Sequence, residues 1–350
     1  MSLLKAEKVF KPMHYQKAFD YWDTHDKMVW HWDEVPLGDD IQDYTLANKE
    51  EKEFITNIMK LFTTNDIEVS NGYNMLMRVF KPTEVQMMLG SFNDRESTHI
   101  AAYSLFTETL GFDDSFYTDF LRVPEMKVKV DYLEDTKIKK YEEYADDYDT
   151  LFCNPEEEEE FLKYKDEHDY VDTKYKEDIV KTLAVYATAT EGISLFAQFA
   201  MLLKYQFEGK YKGLGQIVEW SIKDEEVHVQ GNSWLFREFV KENPKVLTDK
   251  VKKHIYSAVR QIVDYELHLI DYLNPPHMDK KVIKDYIKYI ADQRLKLIGF
   301  KANYNITTNP LPFMEEVTGQ VLTNFFEGKV TSYAKNALTG DWDDVKYNRV

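Results

Sequence analysis

The chain has 350 residues, with 62 Asp and Glu against 44 Lys and Arg for a net charge of −18, and a single cysteine, Cys153. A surface this acidic repels phosphate backbones and anionic bilayers, which excludes nucleic acid and membrane as partners, while one cysteine excludes an intrachain disulfide scaffold and fits a reducing cytoplasm. Hydrophobic residues make up 43% of the chain and there are only 13 Gly and 10 Pro, so long helices are expected rather than a turn-rich β fold.

The N-terminal MSLLKAEKVFKPM lacks the apolar run of a signal peptide. A first helical block covers about 50–112. Residues 131–180 follow, with 19 Asp and Glu against 7 Lys, and read as a solvated acidic connection with surface helices. The second long block, about 180–240, holds the most apolar window of the chain, 192–203, which is too short for a membrane span and contains Gln198. Further helical periodicity over 246–273 and 279–300 is interrupted at Asn274-Pro275-Pro276, residues 304–314 read as a loop, and the chain turns polar after Asn324. The expected organisation is one helical domain over 1–325 and a flexible tail over 326–350.

Four of the predicted helices carry acid on the stripe that should be buried. The first has Ile55, Ile58/Met59, Phe62, Asp66, Val69 and Tyr73 at spacings of three and four, with Glu68 off the stripe. The second runs Val85, Met88/Leu89, Phe92, Glu96, His99, Tyr103, Phe106, Leu110. In the third, read as one helix, Glu191 is the only charged residue between Leu183 and Leu203, in line with Thr188 and Leu195. The fourth runs Ile217, Ser221, Glu225, His228, Leu235, Phe239. An isolated ionised carboxylate in such a place costs several kcal/mol or more, so each must be protonated, paired or bound to metal.

Glu96-x-x-His99 and Glu225-x-x-His228 repeat one motif, and a lone acid on a buried stripe, Asp66 and then Glu191, precedes each. A single Glu-x-x-His is uninformative in a chain this rich in Glu. Two helices giving one carboxylate each and two giving Glu-x-x-His form the ligand pattern of di-iron and di-manganese four-helix bundles. Four carboxylates balance two divalent ions with neutral imidazoles, which makes burial tolerable. Oxygen-rich ligation with one nitrogen per metal suits iron or manganese better than a structural zinc. The competing explanation, coincidentally buried ion pairs, needs Lys or Arg on the same stripes, and none is there.

These residues resemble the small, radical-generating subunit of class I ribonucleotide reductase over nearly the whole chain. The matching segments are Trp30-His31-Trp32-Asp33-Glu34-Val35, the Asp66 helix, Glu96-Ser97-Thr98-His99 followed by Tyr103, the Glu191 helix, Asp224-Glu225-Glu226-Val227-His228 and Thr323-Asn324-Phe325-Phe326-Glu327. The resemblance implies an all-α, ferritin-like bundle. It also implies two metal ions per chain, one held by Asp66, Glu96 and His99 and the other by Glu191, Glu225 and His228, with carboxylates bridging. Iron comes first, with manganese or a mixed Mn/Fe pair as the other forms the family uses. Tyr103 corresponds to the stored-radical tyrosine, Trp30 to the tryptophan on the long-range radical route, and Asp224 to the aspartate linking that tryptophan to His99. Independently, Tyr103 lies about 10 Å along the axis from Glu96, and helical side chains lean back toward the N-terminus.

By the same resemblance the chain is a homodimer. It docks through its tail on a large subunit, and Tyr333, or the competing Tyr347, relays the hole across that interface. The implied reaction is reduction of ribonucleotides to deoxyribonucleotides by the large subunit. This chain has no nucleotide-binding glycine loop and no dithiol with which to do it alone. Leu195 stands where many members have an aromatic residue, and the ligand set does not choose among the metal pairs. The alternative reading is a ferritin-like dimetal oxidase or acyl desaturase with the same ligands. A third class, a non-enzymatic metal store, would need a cage-forming surface and a shorter chain.

Overall fold

The computed structural model describes residues 2–119, 122–140, 143–144 and 167–317, and among these every regular element is helical. Two short helices, α1 (Gln16–Asp26) and α2 (Gly38–Leu46), precede a long pair, α3 (Lys49–Val79) and α4 (Thr83–Thr109). The Asn48 side chain starts α3 by accepting the Glu51 N–H at 2.9 Å, satisfying one donor that a helix start otherwise leaves unpaired. Only residues 80–82 join α3 to α4, and Pro82, which has no N–H to give, stands immediately before the new helix. So short a link makes the pair antiparallel neighbours, and they pack along their length. The stripes predicted for both are buried, from Ile55 to Tyr73 on α3 and from Val85 to Phe106 on α4.

Beyond α5 (Ser115–Asp119) and α6 (Pro124–Asp135) come α7 (Glu167–Val185), α8 (Phe196–Phe207), α9 (Lys212–Glu242), α10 (Asp249–Leu273) and α11 (Lys280–Leu297). Helix α9 packs on α4, α7 and α8, closing a core of four helical layers with α3. Its first turn is held by α2: Asp40 accepts the N–H groups of Gly213 at 3.0 Å and Leu214 at 2.9 Å, and Asp43 that of Tyr211 at 2.7 Å. Acidic side chains on the unpaired donors at the positive end of a helix fix its position. Among the described residues no helix is long and apolar enough to cross a membrane. The tail over 326–350, with Tyr333 and Tyr347, the segment 323–327, and residues 145–166 of the acidic connection lie outside the described residues.

One predicted helix is divided. The continuous helix expected over 183–203 ends at Val185, continues as a π-helix over Tyr186–Thr190, and turns through 191–195 before α8 begins. The local sequence supplies the cause. Thr188 and Thr190 hydroxyls donate to the carbonyls of Ala184 and Tyr186 at 2.7 and 3.1 Å, competing for acceptors that an α-helix uses. The Ser194 N–H reaches the Ala189 carbonyl, five residues back, at 3.1 Å, the spacing of a π-turn. At Gly192 a Cβ would stand 2.6 Å from the Thr188 carbonyl oxygen, so the turn admits only glycine there. Glu191 therefore sits at the end of a widened turn rather than on a regular stripe.

Across the core from this distortion, Gly72 of α3 lets the Tyr186 ring lie directly against the helix, and a Cβ at 72 would overlap its hydroxyl. Tyr186 is buried and its ring has no free space to enter. Gly72→Ala is expected to cost about 1–3 kcal/mol through overpacking, read as a lower midpoint in urea unfolding. An unchanged midpoint would mean that the widened turn does not lean on α3.

Candidate metal centre

Asp66 comes from α3, Glu96 and His99 from α4, Glu191 from the widened turn, and Glu225 and His228 from α9, so each helical layer contributes. All six are at most 2% exposed. The structure brings them together as two overlapping groups, Asp66–Glu96–His99 and Glu96–Glu191–Glu225–His228, whose potential ligand atoms lie within 4.8 Å of one another in each group. Glu225 reaches His99 Nδ1 with Oε1 and His228 Nδ1 with Oε2, both at 3.3 Å. Glu96 likewise stands 3.8 Å from His99 Nδ1 and 3.2 Å from His228 Nδ1. Glu96 and Glu225 thus straddle the two histidines, and Asp66 and Glu191 stand at the ends.

The atoms present fit a pair of cations. Both oxygens of Glu96, both of Glu225, Asp66 Oδ1 and His228 Nδ1 are buried without a hydrogen-bond partner, a rare condition for buried polar atoms. Three carboxylate oxygens, from Glu96, Glu191 and Glu225, lie 3.2–3.3 Å from His228 Nδ1. One imidazole nitrogen carries at most one hydrogen, so a converging set of lone pairs this dense calls for positive charge at its centre. Among the described residues no Lys or Arg forms an ion pair with the six. Two basic groups are buried nearby, but Arg294 is committed to Glu226 at 2.9 Å, and Arg95 forms no such pair.

Without cations the site's electrostatics are strained in the direction metals would relieve. Burial, helped by the charges of Glu225 and Glu191, pushes Asp66 up to about 7, and burial next to Glu225 drives Glu96 well above the usual carboxylate range. Asp224 goes the other way: burial opposes its charge, yet the imidazoles of His25 and His99 on either side hold it well below that range. Asp224 is therefore an ionised acceptor at the rim of the cluster. Its Oδ2 takes the Trp30 Nε1–H at 2.8 Å and contacts His99 Nε2 at 3.1 Å, which leaves His99 Nδ1 facing the carboxylates. Trp30 is buried and stacks on the His99 ring at 5.8 Å between centroids, and its ring lies tilted against that of Trp220 at 5.3 Å.

Tyr103 lies on the same α4 face and donates its hydroxyl to Ser221 Oγ at 3.0 Å, while Ser221 donates onward to the Ile217 carbonyl at 3.0 Å. Burial first, then the nearby charges of Asp66 and Glu225, keep the phenol protonated far above its ordinary range. Phe62 packs on Tyr103 at 4.7 Å and Phe199 stacks on Phe62 at 5.4 Å, so the aromatic lining around Tyr103 runs through Phe62 and Phe199 with Leu195 buried beside the turn. Glu68 points away, within 3.4 Å of Lys137.

Sequence reasoning missed three contributors. His25 of α1 lies with its ring 4.9 Å from that of His228 and its Nε2 3.4 Å from Asp224 Oδ1; burial lowers it to about 4, so it is neutral. Tyr73 donates to Glu191 Oε1 at 2.6 Å, and Asn232 donates to both Tyr73 Oη and Glu191 Oε2, at 2.9 and 3.2 Å. Tyr73 was legible as a stripe residue, and its seven-residue spacing from Asp66 repeats that of Tyr103 from Glu96. His25 and Asn232 had no sequence signal beyond their polarity.

A helical bundle whose four layers converge on carboxylates and two histidines defines the class: a ferritin-like fold with a buried cluster that could hold two metal ions. Within that class, the sequence profile of the family described as "Ribonucleotide reductase, small chain" matches residues 7–310, and the chain belongs to this family. It is 36% identical, over 99% of both chains, to the "Probable ribonucleoside-diphosphate reductase small subunit" of Invertebrate iridescent virus 6. Its fold is similar to that of the ribonucleotide reductase R2 subunit from Clostridium botulinum, with a TM-score of 0.73 at 18% identity, covering 91% of this chain and 94% of that one. An R2-like ligand-binding oxidase carrying a reconstituted Mn/Fe cofactor shares the fold as well, at a TM-score of 0.60 and 15% identity, covering 83% and 96%.

If the six residues hold metal, Glu191→Ala removes one of four balancing charges and should leave fewer than two Mn(II) ions bound per chain in anaerobic titration. Glu68→Ala, off the cluster, should bind as the parent does. Two full equivalents in Glu191→Ala would remove Glu191 from the ligand set.

Proposed function

We propose that this chain is the radical-generating small subunit of a ribonucleoside-diphosphate reductase. The observation that carries the reading is the hydrogen-bonded line His99–Asp224–Trp30, in which one buried, ionised carboxylate oxygen joins the cluster to a buried indole. Asp66, Glu96, His99, Glu191, Glu225 and His228 would hold two metal ions, iron first, with manganese or a mixed Mn/Fe pair as the alternatives. When bound, such a pair supplies one-electron oxidising power that no side chain of the protein has.

The protein's own part is to store and conduct the hole. Tyr103 loses an electron only as its proton leaves, because burial makes both the phenolate and a protonated phenol cation costly. Ser221 Oγ, which accepts the phenol's hydrogen bond, is too weak a base to keep that proton, so the proton goes to the carboxylate side, where Asp66 and Glu225 are the charges that bear most on the phenol. Phe62 and Phe199 wall off the ring side of the resulting phenoxyl from water, and the Ser221 hydroxyl stays the polar group its oxygen touches. Trp30 then passes the hole outward: oxidation acidifies its N–H, and Asp224 Oδ2 at 2.8 Å holds the proton through the transfer.

The receiving partner is the large catalytic subunit, reached through the tail, with Tyr333 as relay, and the chain works as a homodimer. A dimetal oxidase or acyl desaturase would use the same ligands but gives no purpose to the Trp30–Asp224 pair. Metal counting with low-temperature EPR after anaerobic loading with Fe(II) and exposure to oxygen, followed by a deoxyribonucleotide assay with the large subunit, tests the whole reading.

Tyr103→Phe keeps the packing and lacks the O–H. It is expected to bind metal normally and to lose both the tyrosyl EPR signal and reductase activity. Full activity in that variant would place the stored oxidising equivalent on the metals. Two tail variants separate docking from relay. Deleting 341–350 should weaken association with the large subunit and spare the metal site, while Tyr333→Phe should associate normally and not turn over. A Tyr333→Phe enzyme that turns over beside a dead Tyr347→Phe would move the relay to Tyr347.

A further inference from the structure

The two tyrosines that flank the cluster are placed alike and bonded differently. Tyr73 follows Asp66 on α3, and Tyr103 follows Glu96 on α4, by the same seven residues. Because α3 and α4 are antiparallel, the two phenols lie toward opposite ends of the cluster, and each meets α9: Tyr103 at Ser221, four residues before Glu225, and Tyr73 at Asn232, four residues after His228. Tyr103 touches no ligand through its hydroxyl. Tyr73 donates to Glu191 Oε1 at 2.6 Å, a short, charge-assisted bond.

Asn232 completes a three-membered ring of contacts, donating to Tyr73 Oη at 2.9 Å and to Glu191 Oε2 at 3.2 Å. Glu191 thus has a donor on each oxygen, whereas neither oxygen of Glu96 or Glu225 has one. Glu191 Oε1, 3.3 Å from His228 Nδ1, faces the cluster, and Oε2 is the oxygen held by Asn232. The need for such a hold follows from the backbone, because Glu191 projects from a widened π-turn and not from a regular helix. All three partners are buried, so water cannot substitute for the bonds.

We propose that Tyr73 and Asn232 are positioning residues that hold Glu191 as a fixed, one-oxygen ligand of the metal beside His228, so that any change in carboxylate binding falls on Glu96 and Glu225. This rests on the dinuclear reading above. Groups that orient a ligand in this way are worth about 10–100-fold in metal affinity.

The test is anaerobic titration of the apoprotein with Co(II), followed by calorimetry and by the visible ligand-field band, which responds to coordination number. The parent should bind two equivalents. Tyr73→Phe, which keeps the ring, and Asn232→Ala, which frees Oε2, should each weaken one equivalent by about 10–100-fold, leave the other unchanged, and weaken that ion's band as Glu191 gains a second bond to it. Tyr103→Phe, equally buried at the opposite end, should change neither. Parent-like affinities and spectra in both variants, or an equal loss at both equivalents, overturn the assignment. A parent that binds fewer than two ions overturns the dinuclear reading itself.

Discussion

Four carboxylates share one core, and the rest of the molecule is arranged around that cost. At a few ångströms in a medium of low dielectric, like charges repel strongly and desolvation penalises each one separately. Most of the oxygens are buried without donors, a strain that protons relieve in part and a pair of cations would relieve in full. The long helices provide the rigidity to hold the charges there. The hairpin of α3 and α4 is forced by a three-residue link, and α9 is pinned at its start by Asp40 and Asp43. Loss of either anchor would let the layers slide and separate the two Glu-x-x-His pairs from their lone acids.

The residues that cluster in the core are readable in the sequence because burial imposes periodicity. Asp66, Glu96, His99, Glu225 and His228 occupy positions where a 3.6-residue repeat demands apolar side chains, and that contradiction between type and position is the signal. Glu191 is legible for the same reason, but the regular helix the repeat predicts beneath it is a widened turn in the structure. The repeat says that a residue points inward; it does not say whether the turn beneath it is wound at four residues or five. The competition of Thr188 and Thr190 for helix carbonyls, and the close approach over Gly192, are contacts that a helical wheel cannot show. Asn232 and His25 escaped for a different reason: a polar residue beside a motif is ordinary, and its meaning lies in which atom it faces across the core.

The fold by itself does not separate the competing functions. An R2-like oxidase shares the architecture at a TM-score of 0.60, and an architecture that supports several chemistries leaves function to the site. What separates them here is the family match over residues 7–310 together with a feature the metal ligands do not require. Asp224 is a carboxylate kept ionised inside the protein, and it ligates nothing in the cluster. Its Oδ2 is occupied by Trp30 and His99 together, an arrangement that costs desolvation and does not contribute to metal charge balance.

Such a group is understandable if charge must leave the site as well as be created there. An oxidase acting on a substrate beside its metals needs an open approach to them and has no use for a conductor. In the proposed reductase the demand is reversed: the oxidised centre must be sealed from solvent, yet connected to a partner far from it. Phe62, Phe199 and the buried stripes do the sealing. In that reading the His99–Asp224–Trp30 line would do the connecting, because proton and electron can shift together along short hydrogen bonds without opening the core. On the opposite end of the cluster, the Tyr73–Asn232 hold on Glu191 makes the asymmetry complete. In the proposed reductase one end is fixed and the other would conduct, and the carboxylates between them, Glu96 and Glu225, are the ones left without hydrogen bonds and therefore free to respond.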